Sequence, residues 1–177
     1  MKKIFLITIS ASMILSAAAQ QSKTPTLKSI LLEQLRLSHN VKDWFVPVNI
    51  ALEGLTPEQA SWTDGKGNHS IGQLANHLLF WNLQLLNKFK NLPQPPFDGN
   101  NDETFNSFNT RNWKATVQRL DSVLTALEKA VEESDHSKLQ SWYSTIAHVG
   151  THNAYHTGQI IYIRKLQGNW DPDKGVK

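Results

Sequence analysis

Four stretches of this chain repeat apolar residues at steps of three and four, and no stretch shows the convincing alternation of a strand. The first stretch runs Leu37, Val41, Trp44, Val48, Leu52. The second runs Ile71, Leu74, Leu78, Trp81, Leu85. The third runs Trp113, Val117, Leu120, Leu124, Leu127, Val131, and the fourth Val149, His152, His156, Ile160, Ile163. A period of 3.6 residues places each set on one face of an α-helix, and such a face is stable only when buried against another. Four of them predict an all-α chain folded as a four-helix bundle.

Punctuation along the chain supports four segments. Thr24-Pro25 offers an N-cap and a first-turn proline for the first helix. Pro47 should kink or break that helix near Phe45, and Gly54 ends it. Thr56-Pro57-Glu58-Gln59 and Ser70-Ile71-Gly72-Gln73 are capping boxes, the first for a short turn and the second for a long helix that Pro93 stops. Residues 91–106 form a long loop rich in Pro, Asn and Asp, of the kind that crosses a bundle end or serves function. The third helix is expected from about Thr110 to Glu133. After a polar break at Ser134–Ser141, the fourth is expected from about Ser144 to Leu166, with Gly168 as its C-cap.

The N-terminal residues read as a targeting segment. Lys2 and Lys3 precede an apolar stretch from Ile4 to Leu15, too short to span a bilayer, and Ala17-Ala18-Ala19 supplies a cleavage site. Residues 1–19 are thus expected to be a cleaved signal peptide and residues 20–177 one domain, exported to the periplasm or the extracellular space, with no stable membrane insertion afterwards. Cleavage removes two lysines from the 18 basic residues and none of the 15 acidic ones. A mature chain that is nearly neutral and has no basic run argues against a nucleic-acid partner. The chain has no cysteine, which excludes disulfides, Cys-ligated metal and a thiol nucleophile from the protein.

Any metal site must therefore be built from His, Asp, Glu or Asn/Gln, and the histidines form the pattern. His152 and His156 lie one turn apart on one face of the fourth helix, and that face is the apolar one. His77 sits three residues after Leu74 and four before Trp81, at the edge of the second helix's stripe. Two helices therefore each send imidazole inward, where its nitrogens need partners. One divalent transition metal would satisfy three at once and keep an open position. The competing reading is three separately hydrogen-bonded core histidines, and periodicity alone leaves both open. His148 is one further turn back. Three ligands at i, i+4 and i+8 would span about 12 Å of one helix, so His148 reads as pocket-lining or structural. His39, His69 and His136 fall at helix ends or in loops and read as solvated. Asn153 follows His152 where a zincin has its Glu, and the chain lacks the two Glu-x-x-His motifs of a ferritin-like di-iron site.

Ser70-Ile71-Gly72-Gln73-Leu74 leading to His77 resembles the second-helix motif of the DinB/YfiT-like metalloenzyme family. His152-Asn153-Ala154-Tyr155-His156-Thr157-Gly158-Gln159-Ile160 resembles its last-helix signature. Leu55-Thr56-Pro57-Glu58-Gln59-Ala60 and Asn112-Trp113 fit as well, so the resemblance covers roughly residues 27–167. It implies a four-helix bundle of the DinB/YfiT type with a three-histidine site on His77, His152 and His156, commonly zinc or nickel, and frequent homodimers. Characterised relatives include thiol-dependent transferases and a thiol-dependent isomerase. Their thiols are cytoplasmic, whereas this chain's leader is expected to direct export. The expectation is an exported metal-dependent hydrolase or thiol-dependent transferase acting on a small molecule. The alternative is a non-catalytic metal- or ligand-binding bundle. No general base stands out, and the sequence does not name a substrate.

Overall fold

The structure, a computed structural model, describes residues 24–176. The expected signal peptide, residues 1–19, lies outside them. Among the described residues every regular element is helical. Four long helices, α1 (Leu27–His39), α4 (Ile71–Phe89), α6 (Trp113–Glu133) and α7 (His136–Leu166), are joined by three short ones, α2 (Val48–Leu52), α3 (Pro57–Ser61) and α5 (Glu103–Asn106). The long helices pack side by side, with α1 and α4 each against both α6 and α7. No helix among the described residues is long and apolar enough to cross a membrane.

The caps fall where side chains can satisfy the first free N–H groups of a helix. Thr56 with Gln59 and Ser70 with Gln73 close reciprocal capping boxes on α3 and α4. Gly72 in the second box has a further reason to be glycine. A Cβ there would lie 2.2 Å from the Phe108 ring, so the ring seats against bare backbone. At the other end of the chain Gly168 (φ 69°) closes α7. The Gly168 N–H bonds Lys165 O and the Asn169 N–H bonds Arg164 O, the paired bonds of a Schellman ending.

Three expectations change. The α1 cap is Thr26, boxed with Ser29, rather than Thr24. The first stripe is not one helix: α1 stops at His39 and the chain is irregular to Pro47, which precedes α2. Proline has no N–H to give and disfavours the α conformation in the residue before it, which suits the extended entry to α2, whereas the end of α1 at His39 lies eight residues upstream, beyond its reach. Trp44, assigned to the buried stripe, is consequently 85% exposed. Finally, α7 begins at His136, two turns before Ser144. Asp135 caps it by accepting from the Lys138 N–H. The polar residues 136–138 and 140–141 surround Leu139, which is buried with Ile146.

Two apolar clusters fill the bundle. One joins Leu31, Leu35, Phe89, Leu127, Val131, Leu139 and Ile146. The other joins Val48, Ile71, Leu74, Leu78, Phe105, Trp113, Leu120 and Ile160. Burying a Leu or Phe side chain of this kind stabilises by roughly 1.5–3 kcal/mol. On the α4–α7 contact, the buried amides of Asn82 and Asn153 bond each other reciprocally, at 2.8 and 3.2 Å. An apolar contact tolerates sliding, whereas a paired amide fails when its partner moves. This pair therefore fixes how α4 lies against α7, one residue away from His152.

Candidate metal centre

That register brings His77 of α4 against His152 and His156 of α7. One ring nitrogen from each lies within 4.8 Å of the other two, a grouping that can hold a metal ion. His77 Nε2 and His152 Nε2 are 3.1 Å apart. The rings meet at interplanar angles of 55–85° rather than stacking. His77 and His156 are buried and His152 is half-buried.

The other ring nitrogens decide which way the protons point. Thr104 donates its hydroxyl to Asn101 O at 2.6 Å, so its oxygen accepts from His77 Nδ1–H, also at 2.6 Å. His156 Nδ1–H donates to Gln159 Oε1 at 2.7 Å, and the Gln159 amide is oriented by donating to the Tyr155 hydroxyl. A neutral imidazole with its proton on Nδ1 carries a lone pair on Nε2. Burial, with His156, His152 and His69 nearby, pushes the His77 pKa down to about 3. Burial and His156 push His152 down to about 4. His156 is also lowered, chiefly by burial, against the opposing bond to Gln159. The triad is neutral at pH 7, the form that ligates metal.

The donor set fits a transition metal. Neighbouring ligands on a tetrahedral ion with metal–nitrogen distances of about 2.0–2.1 Å sit roughly 3.3 Å apart, close to the 3.1 Å between the two Nε2 atoms. An imidazole whose remote N–H is anchored by an oxygen is also the usual arrangement of a ligating histidine. Thr104 and Gln159 provide that anchor.

The three histidines open on a cleft of about 920 Å³. Gln94, Pro95, Phe97 and Asn101 of the long loop roof it. The loop is tied down along α4: Asn76 Nδ2 donates to Thr104 O, Trp81 Nε1 to Asn101 Oδ1, Gln84 Nε2 to Pro95 O and Asn87 Nδ2 to Pro93 O. Phe105 lies flat between His77 and His69, 3.9 Å from each ring centroid.

The remaining histidines divide. His148 lines the cleft, as expected of a pocket residue, and His136 is exposed. His69 is half-buried on Phe105 rather than freely solvated. His39, read as solvated, is 1% exposed. It bridges two carboxylates of α6, Glu128 at 2.5 Å and Asp121 at 3.0 Å. A residue at the end of a helix in sequence is here at the centre of a helix–helix contact.

Of the chain's aromatics, Trp81, Phe97 and Phe105 line this cleft. Trp142 packs on Phe89, and Phe45 belongs to a separate depression near the C-terminus. Thr104 gave no sequence signal: it lies on the one-turn helix α5, which ends the stretch 91–106 expected as loop, 27 residues from the imidazole it holds. Asn82 did give one: an amide between Leu78 and Leu85 on an apolar face needs a partner.

A family model described as the DinB superfamily matches residues 48–160. That span is more than half of the chain and runs from α2 to four residues beyond His156. No curated protein and no solved structure matches the chain. Family model, helical architecture and converged histidines agree, and the chain belongs to the DinB superfamily.

Proposed function

We propose that this protein is an exported metalloenzyme that holds one divalent transition metal, zinc or nickel, on His77, His152 and His156 and acts on a small molecule in the adjoining cleft. The observation that carries the reading is the fixed proton placement. Thr104 and Gln159 occupy the Nδ1 protons of His77 and His156, leaving Nε2 lone pairs turned toward a common point. A cation at that point would take both lone pairs and one from His152, whose Nε2 lies 3.1 Å from His77 Nε2. Three imidazoles suit either metal.

Bound there, such an ion supplies Lewis acidity, lowering the pKa of a water or substrate heteroatom at its open position. The chain's own residues do the rest. Phe105 and Trp81 shield the histidines from bulk water, and the tethered loop narrows the approach. No Asp or Glu lines the cleft, so no carboxylate is placed to take a proton. That absence favours reactions whose nucleophile needs only the metal, such as hydrolysis of an activated ester or attack by a small thiol.

The same absence keeps a second reading alive, a bundle that binds metal or ligand without turnover. Assaying the zinc- and nickel-loaded protein on esters, amides and epoxides, with and without thiols, separates the two. A metal-dependent rate on any of them supports the enzyme. Metal affinity with no turnover across all of them supports the binder. Export rests on residues 1–19, and mass spectrometry of protein recovered outside the cytoplasm should find Gln20 at its N-terminus.

A further inference from the structure

The cleft extends well away from the three histidines. Lys88 follows His77 by eleven residues on α4, which is three turns, nearly the same face and ~16 Å along the axis. Helix α7 runs antiparallel beside it, so His148 and Thr145 lie near Lys88 while His152 and His156 lie near His77. All of them line the one cleft. Between the two ends the walls are mainly apolar, Trp81, Leu85, Phe97 and Val149, with Gln94 and with the Gln84 and Asn101 amides that tie the roof to α4.

The charge in this groove has one sign. No acidic side chain lines it. Lys88 is exposed, and its ammonium makes no ion pair or hydrogen bond with any described residue. Some of the chain's other cations are engaged, Lys174 with Glu53, Arg36 with Glu128 and Glu132, and Lys28 with Glu132 O; what sets Lys88 apart is that it lines the groove. A cation without a partner at one end of an apolar groove, with the histidine cluster at the other, is an asymmetric recognition surface.

We propose that the cleft takes an elongated amphipathic anion, with its carboxylate at Lys88, its apolar chain along Trp81, Leu85, Phe97 and Val149, and its reacting end at the three histidines. The last part rests on the metal reading above; the anion site does not. Allowing for the reach of the lysine, the span between reacting atom and carboxylate is on the order of 10 Å. This matches a chain of about eight carbons.

The probe is suberic acid monohydroxamate, which carries a metal-seeking hydroxamate at one end of an eight-carbon chain and a carboxylate at the other. Its control is the corresponding methyl ester. Dissociation constants are measured by calorimetry for wild type and Lys88→Gln, each with its metal content determined. On wild type the acid should bind about fivefold tighter than the ester, with the margin shrinking as salt is added. Lys88→Gln should abolish the margin, and Lys88→Glu should reverse it. Metal content should be the same in all three. A chain that holds no metal would gain nothing from the hydroxamate yet still prefer acid over ester, so failure of the metal reading is distinguishable from failure of this one. Equal binding of acid and ester to wild type, or a preference that survives in Lys88→Gln, would overturn the proposal.

Discussion

Replacing Thr104 by valine should weaken metal binding although Thr104 is not a ligand. Valine keeps the volume and removes the oxygen that accepts from His77 Nδ1–H at 2.6 Å. Both residues are 3% exposed, so water is poorly placed to substitute. The ring then has two options. It can keep its proton on Nδ1, leaving a buried donor unpaired at about 1–3 kcal/mol. Or it can move the proton to Nε2, the atom that faces His152 Nε2 at 3.1 Å, and so lose the lone pair a metal needs. Either route should lower metal affinity about 10–100-fold, equivalent to ~1.4–2.8 kcal/mol. Competition against a chromophoric chelator at pH 7.5 reads this directly, with tag-free protein. Thr104→Ser restores the hydroxyl and should recover most of the loss. A Thr104→Val protein that is folded and binds metal within twofold of wild type would refute the tautomer argument.

Two further predictions concern the scaffold. Burial alone would lower the His39 pKa, but the Glu128 and Asp121 carboxylates outweigh it and hold the value above 6.5. Its contribution to stability is therefore fully present below pH 6.5 and lost as pH rises through the raised folded value. In urea titrations the stability gap between wild type and His39→Gln should be larger at pH 6 than at pH 9, and a gap that widened with pH would reverse the assignment. The two glycines of the motifs should respond oppositely to alanine. Gly72→Ala drives a methyl into the Phe108 ring and should cost about 1–3 kcal/mol. Gly158→Ala meets open space and should stabilise α7 by up to about 1 kcal/mol, both read as shifts in Tm.

Where sequence and structure agree, the determinant is local. The capping boxes at Thr56 and Ser70 declare themselves within four residues. The third helix follows from its stripe through Trp113, Leu120, Leu124 and Val131. The inward placement of His77, His152 and His156 was also legible, because their helices carry strong periodic patterns on either side. Where they disagree, a distant partner decides. His39 looks like a fraying end until α6 brings Glu128 and Asp121 against it. Residues 136–141 look like a loop because only Leu139 among them faces the core. Trp44 kept the helical step but lost the helix, which ends at His39, five residues before it. The tie from Thr104 to His77 crosses a loop of no fixed period, and no spacing rule reaches it.

The central claim is that three imidazoles hold one metal. The direct measurement is elemental mass spectrometry on the tag-free chain from residue 20, as purified and after reconstitution with zinc or nickel, beside His77→Ala/His152→Ala. About one metal per wild-type chain, lost in the double variant, is the predicted result. A folded wild-type chain that takes up neither metal after reconstitution would show that His77, His152 and His156 are held by one another and by Thr104 and Gln159 alone, and would contradict the account.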